Sequence, residues 1–227
     1  MKNKSIETHF EERLAEFDQV AKSYNWEDQY AYAAWLAQQY YLVRHSSRLL
    51  GLALSKIESA NVRNEYIHHL GEERGHDDLL LNDLKSLGYR IEDFEEFPTT
   101  RLIIHNQYYW LNVSTADSLF GYAQYLEGIA VFCARPVIKR LEDCGSKGLN
   151  FLKVHAESDE LHYPEGFARM HRNKVDWAQV ILPNLEESHM LYLKMFDDLK
   201  ASLANRSPSQ SSQIPSQRQS QISSRVA

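Results

Sequence analysis

Up to residue 202 this chain is short of the residues that break helices. Gly and Pro are few there, and apolar residues recur three and four apart instead of alternating, the period of a helix with one face on a core. The pattern predicts an all-α fold with helices over 4–22, 27–56, 59–87, 115–143, 147–172 and 175–203. Gly88 in Ser86-Leu87-Gly88-Tyr89 reads as a helix stop, and Ser114-Thr115-Ala116-Asp117 as a capping box opening the next helix. Between these signals lies 89–113, the longest irregular region expected. It is either a cover over one end of a pocket or a crossover carrying a short helix. Pro136 and Pro164 fall inside expected helices, where the missing N–H and the ring clash should bend or end them.

The chain of 227 residues is long enough for one sizeable core, and the expected organisation is one domain, 1–203, followed by a disordered Ser/Gln-rich tail, 204–227. The net charge is −6, and the stretch from Ser202 onward holds Arg206, Arg218 and Arg225 without an acid, so the acidity belongs to the domain. Such a surface argues against a nucleic-acid groove, which needs clustered Lys and Arg. Met1–Leu14 is charged and lacks the apolar centre of a signal peptide. No run approaches the ~18 apolar residues of a membrane span, so a soluble cytoplasmic protein without membrane partners is expected. Cys133 and Cys144 read as two reduced, buried thiols, since no second pair forms a zinc or disulfide framework.

Chemistry concentrates in His155-Ala-Glu-Ser-Asp159-Glu-Leu-His162. At about 100° per residue the two imidazoles and the carboxylate project from one helix face within about 60° of one another. Upstream, Glu72-Glu73-Arg74-Gly75-His76 places Glu73 and His76 one turn apart in a Glu-x-x-His arrangement, as helical bundles use for paired metal ions. Glu127 stands alone in an apolar run, a costly place for an unpaired carboxylate. The candidate metal ligands are therefore Glu73, His76, Glu127, His155, Asp159 and His162. Nitrogen and carboxylate donors together suit iron, zinc or manganese. Glu72 is the reserve for Glu73, and His69, seven residues before His76, shares its face.

A ferritin-like site would need a Glu in the middle of the second helix, but no acid lies between Asp28 and Glu58, and such a site has no use for His155. Glu-Glu-x-x-His, an isolated Leu-Glu-Gly and then His-x-x-x-Asp-x-x-His instead resemble the haem-oxygenase-like diiron oxidases, whose superfamily includes thiaminase-II and pyrroloquinoline-quinone synthase. The resemblance covers most of residues 25 to 195. It implies a haem-oxygenase-like bundle of about seven helices and a non-haem centre of two Fe(II) ions with O2 as cosubstrate. His76, Glu127, His155, Asp159 and His162 match family ligands by position, and Glu73 fits the family's three-residue spacing. Some members use a seven-residue spacing, which falls here on His69.

Members of that family oxidise small acids in secondary metabolism and natural-product biosynthesis. The resemblance thus implies an O2-dependent oxidoreductase acting on a small carboxylate, foremost an amino acid or its derivative, aromatic ones included, by oxidative C–C cleavage, N-oxygenation or nitrile formation. Fatty-acid oxidative decarboxylation is the alternative within the family. Arg135, eight residues after Glu127, and Tyr125 are candidate substrate contacts; Tyr122, Phe132, Trp35, Tyr40 and Tyr41 either line a pocket or belong to the core. A metal-free thiaminase-like hydrolase would use Cys133 as nucleophile, and a non-enzymatic metal or haem carrier would use His9. The assembly is compatible with a homodimer.

Overall fold

Short polar residues open the first two helices: Ser5 Oγ accepts from the Thr8 amide at 3.4 Å and Asp28 Oδ1 from the Ala31 amide at 2.9 Å. In the computed structural model, which describes residues 4–172 and 174–205, these begin α1 (Ile6–Ser23) and α2 (Gln29–Val43). Then follow α3 (Ser46–Leu54), α4 (Ala60–Glu72), α5 (His76–Ser86), α6 (Pro98–Val113), α7 (Leu119–Asp143), α8 (Asn150–Arg172) and α9 (Trp177–Ala204). No strand occurs among the described residues. None of their helices is long and apolar enough to cross a membrane.

Among the described residues nine α-helices stand where six segments were expected, because two of those segments divide and a further helix forms. The 27–56 segment breaks at Arg44 and His45, where the His45 amide bonds the Leu42 carbonyl in a tightened turn. The 59–87 segment breaks over Glu73–Gly75, and Gly75 takes φ 88°, a left-handed conformation that other residues rarely adopt. Glu73 and His76 therefore flank a break instead of sharing one helix. The region 89–113 is a third correction: most of it is the 16-residue α6, with Pro98 at the first position, where its absent N–H is no loss. Gln38 ties this region to α2, its Oε1 accepting from the Phe97 amide at 3.1 Å and Thr100 Oγ1 at 2.7 Å, and its Nε2 donating to the Glu95 carbonyl at 2.9 Å.

Gly88 ends α5 as expected, at φ 84°. The box at Ser114–Asp117 acts differently from its sequence reading: Thr115 bonds Asp117 side chain to side chain at 3.3 Å, and a 3-10 turn over Ala116–Ser118 precedes α7. The helices continue through Pro136 in α7 and Pro164 in α8, so neither proline ends its helix. The helix α9 closes the 1–203 segment; residues 206–227, most of the expected tail, lie outside the described residues.

The long α7 packs against α8, α9 and α1, and α2 packs against α5. Gly121 permits the α7–α9 approach, because a Cβ there would meet the Leu185 amide nitrogen at 2.6 Å and the Ile181 carbonyl oxygen at 2.7 Å. Aromatic rings fill the centre edge to face, as where Phe17 and Phe196 lie 5.1 Å apart at 77°. The start of α8 is fixed by buried Asp83 of α5, whose Oδ1 accepts from Asn150 Nδ2 and Oδ2 from the Phe151 amide, both at 2.8 Å. Tyr32 donates its hydroxyl to the Gly148 carbonyl at 2.6 Å just before it. These bonds set the rotation of α8, and hence the direction of its histidine face.

Candidate metal centre

The break after α4 and the face of α8 meet. Ligand atoms of Glu73, His76 and His155 all lie within 4.8 Å of one another, and the His76 and His155 ring centroids are 4.6 Å apart. His155 Nδ1 sits 2.9 Å from the Phe151 carbonyl oxygen; a carbonyl only accepts, so this nitrogen carries the proton and Nε2 remains a lone-pair donor. His76 Nδ1 is 3.4 Å from Glu73 Oε1, yet it is buried and has no properly formed hydrogen bond. Burial would raise the Glu73 carboxyl, but His76, His155 and His69 more than offset that and hold it down to about 2. The same Glu73 carboxylate raises His76.

One turn along α8 lies a second group. His162 Nε2 is 3.5 Å from Glu72 Oε1 and its Nδ1 3.3 Å from Asp159 Oδ1, contacts that lift His162 to about 9, with Glu127 adding to the effect. Glu72 is shared with exposed His68, whose Nε2 lies 3.1 Å away. Glu127 of α7 borders the same space, where burial first and the charge of Asp159 second push its carboxyl up to about 8. No Lys, Arg or His forms an ion pair with it among the described residues. His69 also borders this space, 5.9 Å from the His162 ring, and burial lowers it.

Of these groups His69, Glu73, Glu127, His155 and Asp159 line a cavity of about 140 Å³ whose remaining wall is mostly apolar. Trp35 and Tyr122 line it, whereas no residue of 89–113 does, so that region is no cover for this pocket. The whole 33–190 stretch matches the model of a family described as iron-containing redox enzyme. The chain belongs to that family. No curated protein matches it. Among solved structures, a domain of unknown function with a heme oxygenase-like fold from Shewanella denitrificans OS217 is similar at 20% identity and a TM-score of 0.76, covering 88% of this chain and 95% of that one. The all-α, haem-oxygenase-like expectation is met in this member of the iron-containing family.

The donor set fits iron. Imidazole nitrogens with carboxylates suit a first-row metal. The buried, unbonded His76 Nδ1 and the raised Glu127 carboxyl are both groups that a bound cation would stabilise. Without metal, protons on Glu127 and His162 compensate the crowded carboxylates.

Several sequence expectations are corrected. Arg135 faces outward and pairs with exposed Glu160, so it is no cavity residue. Tyr125 is fully buried but bonds His189 Nδ1 at 2.9 Å in the core between α7 and α9, outside the cavity lining. Phe132 is 54% exposed. The hydroxyl of Tyr41 donates to the Phe94 carbonyl, away from the centre. Cys133 is buried as expected, but Cys144 is exposed.

Sequence reasoning missed Arg169. It lies with Glu127, His69 and Gln124 around a small recess beside the main cavity, and its guanidinium sits over the Tyr66 ring at 5.7 Å. The signal was available, since Arg169 stands seven residues after His162 and so shares its face. Gln39 and Tyr192, which also line the cavity, carried no such spacing signal.

Proposed function

We propose that this chain is an O2-dependent, non-haem diiron oxidase acting on a small carboxylate, foremost an amino acid or amino-acid derivative. The observation that carries the reading is the meeting of Glu73, His76 and His155 within 4.8 Å, beside Glu72, Glu127, Asp159 and His162, next to a mostly apolar cavity that Glu73, Glu127, His155 and Asp159 line. Glu73, His76 and His155 would hold one ion; Glu127, Asp159 and His162, with Glu72 in reach, would hold the other. Two ferrous ions, when bound, would supply the electrons with which dioxygen is reduced.

The protein's own residues do the rest. The Phe151 carbonyl fixes His155 in the tautomer whose Nε2 can donate to a metal. The mostly apolar wall lowers the polarity around the ligand cluster, which strengthens each electrostatic contact there. Arg169, next to Glu127, takes the role of substrate-carboxylate partner that sequence reading gave to Arg135, because its planar fork suits bidentate pairing.

The rivals lose their supports. Burial pushes the Cys133 thiol up to about 12, the wrong direction for a nucleophile at neutral pH. His9 packs against Trp177, 5.9 Å between centroids, and does not line the cavity as a haem ligand would. The apolar wall does favour one second reading, fatty-acid decarboxylation at the same centre.

Anaerobic titration with ferrous iron should saturate at about two equivalents, and the loaded protein should consume O2 faster with an amino-acid panel than without. Arg169→Met should raise the KM for the responding acid about tenfold while retaining iron. Failure to bind iron specifically would sink the reading. A response confined to fatty acids would select decarboxylation.

A further inference from the structure

Away from the carboxylates and histidines, three polar groups meet in the apolar wall of the same cavity. Trp35 and Gln39, one turn apart on α2, and Tyr192 on α9 all line it. They are 5%, 4% and 2% exposed. Trp35 Nε1 and Gln39 Nε2 are buried donors with no hydrogen-bond partner. Both lie near the Tyr192 hydroxyl, close enough to offset part of the rise that burial imposes on it, but neither completes a bond with it. Leaving two buried donors unpaired costs stability, and an acceptor entering the cavity would remove that cost.

We infer that Trp35, Gln39 and Tyr192 form a subsite for a neutral hydrogen-bond acceptor, such as a phenolic or carbonyl oxygen, at the end of the substrate remote from the metal centre. This rests on the proposal that the cavity holds the substrate. Trp35 Nε1 has no acceptor capacity, so at least one of the three groups can only donate, and the matching ligand atom must be an oxygen that accepts. Phe151 sets the reach: its ring centroid lies 6.3 Å from that of Trp35 and 4.2 Å from that of His155. One aromatic ring of wall thus separates the donors from the proposed ligands. A substrate with a carboxylate at one end, a single ring as its body and an oxygen at the far end spans that wall.

The test is binding, independent of turnover. Affinities of 3-phenylpropanoate and 3-(4-hydroxyphenyl)propanoate are measured anaerobically on the full-length protein loaded with ferrous iron, by titration calorimetry. The hydroxylated probe should bind about tenfold more tightly, the worth of one well-made buried hydrogen bond. Gln39→Leu and Trp35→Phe should each shrink that preference, mainly by weakening the hydroxylated probe, with helical content measured alongside. Equal affinities in the wild type, binding of neither probe, or a preference untouched in both variants would overturn the subsite and leave these donors to an enclosed water. Loss of O2 consumption with the preference intact would instead strike the oxidase reading alone.

Discussion

Adjacent in sequence, Glu72 and Glu73 serve different histidines. Glu72 Oε1 lies 3.5 Å from His162 Nε2 and Glu73 Oε1 3.4 Å from His76 Nδ1. Glu73 still takes helical dihedrals, φ −67° and ψ −10°, and its amide bonds the His69 carbonyl, so the division follows from the roughly 100° between successive helical residues. Each carboxylate is thus expected to matter for one metal position. Glu73→Ala should reduce ferrous stoichiometry from about two to about one, and Glu72→Ala should weaken the second equivalent roughly tenfold or more, as loss of a partner around a metal does. Calorimetric titration under nitrogen checks this, and two full equivalents in Glu73→Ala would remove Glu73 from the ligand set.

The α7–α9 contact gives a stability prediction. A methyl at position 121 would press on the backbone of Leu185 and Ile181, which cannot rotate away as a side chain can. Gly121→Ala should therefore destabilise the protein by about 1–3 kcal/mol, as overpacking does. Urea unfolding monitored by circular dichroism measures it. An unchanged midpoint would show that the two helices part without cost.

Much of this was legible in the sequence, and what was not has identifiable physical causes. His155, Asp159 and His162 converge because a helical period places them together whatever surrounds them. Glu73 and His76 were found by the same period although they flank a break, since a three-residue interruption with Gly75 at φ 88° still returns the chain toward α8. The reading of 89–113 allowed only a short helix where α6 runs sixteen residues, because its N-terminal Pro98 looks like a breaker when the preceding residues are unassigned. Arg135 was misplaced for a related reason. Eight residues advance a helix by roughly 80° beyond two full turns, enough on α7 to carry Arg135 from the side of Glu127, which lines the cavity, out to solvent. The partners of Trp35, Gln39 and Tyr192 depend on α2 meeting α9, which no local pattern encodes.

The two cysteines should differ sharply towards electrophiles. Cys144 is exposed, whereas Cys133 is buried beside the cavity with its thiol pushed up to about 12 by desolvation. Since the thiolate is the reacting form, iodoacetamide near pH 8 should label Cys144 and leave Cys133 unmodified until the protein is unfolded. Peptide mass spectrometry separates the sites. Rapid native labelling of Cys133 would revive the nucleophile that the hydrolase reading needs.

Protons on the ligand cluster predict how stability changes with pH in the metal-free protein. Glu127 keeps its proton up to about 8 when folded, against 4.5 as its ordinary value, so the folded state binds an extra proton between those limits. The corresponding stability is present below the lower value and is lost as pH rises through the upper one. His162, raised to about 9 by Asp159, burial opposing and Glu72 and Glu127 assisting, acts with the same sign from 6.5 upward. Glu73, held at about 2 by its histidines against the effect of burial, acts oppositely, contributing above 4.5 and losing its effect as pH falls toward 2. Urea midpoints of the metal-free protein should therefore be highest near about pH 5 and decline toward pH 8, and Glu127→Gln, which cannot ionise, should flatten that decline. Cations compete with these protons, so the stabilisation given by added ferrous iron should grow over the same interval. If Glu127→Gln declines as steeply as the wild type, the extra proton resides elsewhere, and Glu127 would be an ordinary carboxylate with no claim on a metal.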